Sequence, residues 1–380
     1  LPDAPSGTRG ILLFVVPKFL PDAQGGPGER NPIWCGAIEH KMGIHGNATC
    51  QINLEGATGW LIGEAHRGLN AMFVMMNAAR LGVGMQSLGL TEVAYQNALA
   101  YARERVQGRS LSGAGAATAT TAAAADPIIV HPDVRRMLMT ARAFAEGGRA
   151  FISYVALMID RELNHPEEAI RREAADEVAL LTPIVKAFLT DNAWIATSEA
   201  LQVFGGHGYI AEWGMEQYVR DARINMIYEG TNTIQSLDLL ARKVLMDKGE
   251  KLRRFGEKIK RFIAAQSGDP AMAEFIAPLA DLAEKLVKLT AEIGGKAAAD
   301  PEEAGAAAVP YLRVAGHLVY AYFFARMAKI SLDKAASDDR FYQDKLSTAR
   351  FYFARLLPET AMLIRQARSG AASLMAMDFS

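Results

Sequence analysis

The sequence predicts a mainly α-helical protein that opens with a short stretch of β-structure and closes with an extra helical section. Three observations carry this prediction. About the first 60 residues set short apolar runs between Gly and Pro clusters. From Gly68 the apolar residues recur at helical spacing almost to the end of the chain. Beyond residue 250, four further amphipathic segments are divided by Pro, Gly and Asp. The expected divisions are 1–67, 68–248 and 249–380. Half of the residues are hydrophobic and 22% are charged, enough for a buried core. Lys and Arg number 41 against 42 Asp and Glu, a balance that excludes bulk attraction to nucleic acid or to an anionic membrane.

Taken in order, the run Ile11 to Val16, bounded by Gly10 and Pro17, predicts a buried strand, and 50–55 and 59–63 predict two more. Pro and Gly cluster between 17 and 36, which predicts an extended surface loop. So little sheet is not self-sufficient. The chain opens on Leu1, with no basic start and no apolar signal core, and the expectation is a piece of a longer polypeptide. Cys35 and Cys50 read as two reduced thiols in a cytoplasmic protein, with a structural disulfide as the alternative, and the scattered His residues outline no metal site.

Met72, Met75, Met76, Ala79 and Val83 mark the first helical face. The Ala-, Gly- and Thr-rich run 113–125 reads as a surface loop or as helix. Helices are expected over 132–163, 166–204 and 232–248, the first two opened by Pro132 with Asp133 and by Pro166 with Glu167 and Glu168. The segments 250–265, 271–298, 306–336 and 341–377 suggest four antiparallel helices. Val314 to Phe324 carries no formal charge, but 11 residues do not span a bilayer.

Four features can carry chemistry. Gly206-His-Gly208-Tyr-Ile-Ala211 has the spacing of a dinucleotide-binding turn, but it follows a helix rather than a strand, so it reads as a Gly-rich helix end and a Rossmann fold is rejected. Glu229, in Tyr228-Glu-Gly-Thr-Asn232, is either an ordinary carboxylate near a helix start or a base held at a turn, with Gly230 leaving the backbone open to a ligand. Arg103, Arg105 and Arg109 either complement a helix C-terminus or hold a phosphate. Arg80 lies among Met75, Met76 and Leu81, where a buried guanidinium needs an anionic or polar partner.

The ordered blocks Gln202-Val-Phe-Gly-Gly-His-Gly-Tyr209, Arg220-Asp-Ala-Arg223 and Ile227-Tyr-Glu-Gly-Thr-Asn232 resemble the acyl-CoA dehydrogenase family in order, spacing and wording. Lys41-Met-Gly43, the helix from Gly68 to Arg80 and Arg103-Glu-Arg105 match upstream. The resemblance implies a partial β-domain, a four-helix-bundle domain that handles flavin and acyl-CoA, and an extra C-terminal helical domain. It also implies FAD as cofactor and α,β-dehydrogenation of an acyl-CoA to the trans-2-enoyl-CoA. Glu229 would then be the α-proton base. Asn77, Arg80 and Gly230 would lie against the substrate. Arg105, Gln107, His131, Gln202, Val203, Gly205, Gly206, Thr231 and Thr233 would contact FAD, and because part of this set reaches the flavin of a neighbouring subunit, a homodimer or dimer of dimers is implied. The family pattern Arg-x-x-Phe-Gly reads Arg105-Val-Gln-Gly-Arg109 here.

The section after 250 resembles a larger bacterial branch that includes 3-methylmercaptopropionyl-CoA dehydrogenase, which makes that thioester one candidate substrate. The family places such enzymes in fatty-acid β-oxidation, with an electron-transfer flavoprotein as acceptor. Two other readings of the same fold are an acyl-CoA oxidase and an FAD-binding DNA-alkylation-response protein. The latter finds little support in residues 247–380, with 20 Lys and Arg against 17 Asp and Glu.

Overall fold

The computed structural model describes residues 4–111, 125–334 and 339–379. The low-complexity run expected over 113–125 lies outside them, apart from its last residue. Residues 1–79 and 80–380 form two compact units.

The strands of the first unit are β1 (Phe14–Val15), β2 (Phe19–Pro21), β3 (Pro27–Arg30), β4 (Ile33–Ile38), β5 (Cys50–Leu54) and β6 (Trp60–Leu61). They pair antiparallel as three two-stranded ribbons, β1 with β6, β2 with β3 and β4 with β5. The run Ile11 to Val16 is therefore mostly not strand. Only Phe14 and Val15 pair, and both are exposed because no third strand adjoins β1 and β6 among the described residues. The expected loop over 17–36 is instead a hairpin followed by the start of β4. Asp22 makes the hairpin turn, its Oδ1 accepting the N–H groups of Gln24 at 2.9 Å and Gly26 at 2.7 Å. The Pro and Gly content here encodes a tight turn rather than an irregular connection. Buried Asn31 ties the unit together, donating to the carbonyls of Pro17 and Thr58 and accepting from the Thr58 N–H. Cys35 and Cys50, on paired strands, are both free thiols.

Helix α1 (Gly68–Glu104) starts where a side chain is excluded, since a Cβ on Gly68 would lie 2.3 Å from the backbone of Leu12. In the second unit it is followed by α2 (Pro132–Asn164), α3 (Glu168–Phe204), α4 (Met215–Asn225), α5 (Asn232–Leu237), α6 (Glu250–Gln266), α7 (Ala273–Ala297), α8 (Glu302–Asp333), α9 (Arg340–Phe351), α10 (Glu359–Arg368) and α11 (Ala372–Met375). Their larger core runs from Phe151 and Phe188 on α2 and α3 through Tyr311, Tyr320 and Phe324 on α8 to Leu363 on α10, and a smaller one joins Ala98 on α1, Met137 on α2, Phe204 on α3 and Met215 on α4. The uncharged run Val314 to Phe324 is the middle of α8 and is wholly buried in protein. Two glycines permit the close approach of these helices. A Cβ at Gly147 would meet the Tyr320 ring at 2.5 Å, and one at Gly316 would meet the Phe188 ring at 2.4 Å. The stretch Glu168–Tyr209 is long and apolar enough to cross a membrane, but 72% of its most apolar window is buried inside the protein.

Two expected helices are interrupted. After α5 the chain is π-helical over Asp238–Leu245, where Met246 N–H reaches back five residues to the Ala241 carbonyl at 2.9 Å. The segment 341–377 is not one helix but α9, a π-helical turn (Tyr352–Leu356), α10 and α11. Pro358 and Gly370, the latter at φ +77°, stand at its breaks.

Candidate active site

Two constellations in the second unit gather the predicted residues. The first is a cleft of about 350 Å³ at the end of α3, bordered by Arg105, Gln107, Gln202, Val203, Gly205 and Gly206. Helix α3 ends because Gly205 adopts φ +57°, and the Gly205–Tyr209 segment turns tightly after it. The sequence Gly206 to Ala211 is thus a helix end, as its context predicts. Arg105 follows the last residue of α1 on a stretch tied to 126–128, with Gln107 N–H donating to the Asp126 carbonyl at 2.9 Å and Ile128 N–H to the Arg105 carbonyl at 2.8 Å. His131 backs this stretch, its Nε2 lying 2.8 Å from the Gln107 carbonyl.

The three arginines of this region separate in role. Arg109 lies 4.0 Å from the buried Asp126 carboxylate. Arg105 is exposed, and among the described residues its guanidinium meets only the Gln107 amide, at 3.4 Å. A cation beside a cleft with no internal carboxylate partner, facing two residues without side chains, suits a phosphate group. An aromatic wall completes the cleft. Tyr101 stacks on Phe204 with centroids 4.1 Å apart and bonds His207 Nδ1 at 2.8 Å, and His207 stacks on Trp213. The sequence reading passed over Tyr101, His207 and Trp213. His207 was visible only as spacing between glycines, and Tyr101 stands 106 residues before it in the chain.

The second constellation is the turn between α4 and α5. Glu229 and Gly230 are consecutive left-handed residues, at φ +55° and +82°. For Glu229 this conformation costs about 1–2 kcal/mol, so the surroundings must enforce it. On the near side, Tyr228 donates its O–H to Gln86 and Asn225, and buried Asn225 bonds Ser87 Oγ at 3.0 Å. On the far side, Asn232 N–H closes the loop onto the Met226 carbonyl at 3.0 Å, and Thr231 caps α5. The Asn232 side chain is pinned to α3: Nδ2 donates to Asp191 at 2.6 Å and Thr190 at 2.9 Å, and Oδ1 accepts from Lys186 at 2.9 Å. From below, Gln235 Nε2 donates to the carbonyls of Glu229 and Gly230 and occupies the place a Cβ on Gly230 would take, 2.6 Å away. Among the described residues the N–H of Glu229 has no acceptor.

Three charged side chains around this turn, Arg80, Lys186 and Asp238, are buried. Lys186 is fully enclosed, and burial lowers its pKa to about 8, with the Asp191 and Glu229 carboxylates opposing the fall and Arg80 adding to it. Arg80 has the anionic partner its position demands, Asp238 at 3.6 Å with both side chains buried. Burial raises the Asp191 pKa, opposed first by the Arg313 cation and then by the Asn232 hydrogen bond. Thr231 and Thr233 lie at the exposed start of α5 and do not border the Arg105 cleft. Asn77 is exposed on α1 within the first unit.

Residues 109–245 match the family model described as the C-terminal domain of acyl-CoA dehydrogenase, and 255–378 match the one described as acetyl-CoA dehydrogenase C-terminal like. The chain is 42% identical over 94% of its length to 3-methylmercaptopropionyl-CoA dehydrogenase of Ruegeria pomeroyi. It is 35% identical over 93% of its length to the broad-specificity linear acyl-CoA dehydrogenase FadE5 of Mycobacterium tuberculosis. It spans 60% of the length of each relative. Among solved structures, Caenorhabditis elegans ACDH-11 in complex with C11-CoA shares the fold, with a TM-score of 0.74 and 22% identity over 91% of this chain and 53% of that one. From the two family models and these relatives, the chain belongs to the acyl-CoA dehydrogenase family.

Proposed function

We propose that the polypeptide bearing this chain is an FAD-dependent acyl-CoA dehydrogenase and that Glu229 is its base. The observation that carries the reading is the Glu229 turn, which presents a carboxylate and an unbonded backbone N–H from one left-handed residue. The carboxylate removes the proton α to the thioester carbonyl. The Glu229 N–H donates to the thioester oxygen, where negative charge develops, and a fixed donor of this kind contributes on the order of 3 kcal/mol. Gly230 would lie against the substrate, its left-handed backbone adopted without the cost a side chain would bring. FAD, when bound, accepts the hydride from the β-carbon, so that loss of the α C–H and β C–H bonds leaves the trans-2-enoyl-CoA. Arg105, with the side-chain-free Gly205 and Gly206, is suited to the FAD pyrophosphate, with Gln107, Gln202, Val203 and His131 beside it and Thr231 and Thr233 near the base. Arg80 would lie near the acyl-CoA.

The 42% identity to a 3-methylmercaptopropionyl-CoA dehydrogenase makes that thioester the first substrate to try. A second copy of the chain completing the cofactor site, an electron-transfer flavoprotein as acceptor and a role in β-oxidation belong to the same proposal. Charge does not favour the DNA-binding alternative, since Arg253, Arg254, Lys258, Arg313 and Arg368 in the C-terminal helices each pair with carboxylates. The test is product analysis. The full polypeptide with FAD and an artificial electron acceptor should convert 3-methylmercaptopropionyl-CoA, butyryl-CoA or octanoyl-CoA to its 2-enoyl-CoA. Failure with every member of that panel contradicts the reading.

A further inference from the structure

We propose that Arg313 is a positioning residue through which the C-terminal helices hold the Glu229 turn. The inference rests on Glu229 being the base. Arg313, on α8, grips the Glu359 carboxylate with two parallel bonds of 2.5 and 2.9 Å and points a third N–H at Asn192 Oδ1, 3.2 Å away on α3. Asn192 is the chain neighbour of Asp191, whose Oδ1 holds Asn232 at 2.6 Å. Asn232 closes the turn that contains Glu229 and Gly230. A line of polar contacts, joined between Asn192 and Asp191 by the α3 backbone, thus runs from α10 through α8 and α3 to the turn. Its members are separated by 121 residues between Arg313 and Asn192 and by 42 and 41 residues between Asn232 and its α3 partners Thr190 and Asp191.

The far end is clamped as firmly as the near end. His317, completely buried, lies with Nε2 3.2 Å from Glu359 and Nδ1 2.9 Å from the Tyr352 hydroxyl. Burial keeps its pKa below the ordinary value, and the Tyr352 O–H donates to the His317 carbonyl at 3.1 Å. Arg313 is only 13% exposed, and its charge faces Asp191 as well as Glu359. The groups around Asp191 are Arg313 from α8, Lys186 from α3, Asn232 from α5 and Glu359 at the start of α10. Of these Arg313 does most to lower the Asp191 pKa, against the burial that raises it. Without Arg313, Asp191 is more readily protonated and becomes a weaker acceptor for Asn232, so the turn loses part of its hold on α3.

The test uses the full polypeptide loaded with FAD, following anaerobic flavin bleaching by whichever of 3-methylmercaptopropionyl-CoA, butyryl-CoA or octanoyl-CoA reduces the wild type fastest. Arg313→Gln should lower the bleaching rate about tenfold near neutral pH, with half-saturation unchanged within about twofold, and should move the acid limb of the pH–rate profile upward. Arg313→Lys should restore part of the rate. Arg368→Gln, which breaks an exposed pair with Glu292, should stay within about twofold of wild type. If Arg313→Gln does not fold, Glu359→Gln decides, with an expected loss of about threefold because Arg313 then lacks the carboxylate that orients it. A rate within twofold of wild type at every pH, or a loss fully cured by added FAD, overturns the proposal. Glu229→Gln separates the two claims. If it bleaches normally the base assignment is wrong, whereas if it is inert while Arg313→Gln is normal, only the positioning role is lost.

Discussion

The Arg105 cleft and the Glu229 turn stand within one compact unit but are built on opposite principles. The cleft keeps its cation uncommitted, with Arg105 exposed and Gly205 and Gly206 offering bare backbone. The turn is held from several sides: the Glu229 and Gly230 carbonyls, the Asn232 side chain and Tyr228 are all bonded, while the Glu229 N–H has no acceptor among the described residues. A surface that holds a cofactor by its phosphates gains by withholding internal partners, because the ligand then supplies the missing charge. A base that must meet one carbon–hydrogen bond gains by losing freedom, because a misplaced carboxylate forfeits rate.

The contrast can be broken at either end. The largest effect is expected from Glu229→Gln, with turnover lower by on the order of 10³ in steady-state assays while thermal stability barely moves. Arg105→Met should leave the turn intact and weaken FAD, by about 1.5–3 kcal/mol in a fluorescence titration of the apoprotein, the worth of a charge-assisted hydrogen bond. Gly230→Ala tests the packed side. The new Cβ meets Gln235 at 2.6 Å in a left-handed backbone, so a loss of about 1–2 kcal/mol is expected in denaturant unfolding.

A pH experiment sharpens the same comparison. Burial alone would raise the Glu359 pKa, but the hydrogen bonds from His317 and Arg313 outweigh it and hold the carboxyl at about 2. A carboxylate with a depressed native pKa stabilises the fold above its ordinary range and loses that contribution as pH falls toward 2. Wild type should therefore lose stability through the acid range more steeply than Glu359→Gln. The smallest effect belongs to Arg368→Gln, whose exposed pair with Glu292 should contribute less than about 0.5 kcal/mol in thermal melts.

What the sequence made legible follows this division as well. Glu229, Gly230 and the glycine-terminated end of α3 were readable because they are contiguous words whose backbone demands are local. Arg80 was readable because a guanidinium among methionines has to find an anion, and Asp238 is that anion. Lys186, Asp191, Asn192, Arg313 and Glu359 were not readable, because each looks like an ordinary helix residue until folding brings distant segments together. The hairpin at Asp22 was misread because Pro and Gly mark both loops and turns, and the side-chain bonds that distinguish them appear only in three dimensions. The π-helical turn after α5 left no mark in the apolar spacing, which stays close to helical through it.

The most direct test separates binding from chemistry at one residue. Wild-type and Glu229→Gln proteins, both loaded with FAD, are titrated anaerobically with an acyl-CoA that the wild type oxidises, while the flavin spectrum is recorded. The account predicts that the wild type bleaches, and that Glu229→Gln binds the thioester and shifts its spectrum while its flavin stays oxidised. Bleaching of the variant at the wild-type rate would contradict it.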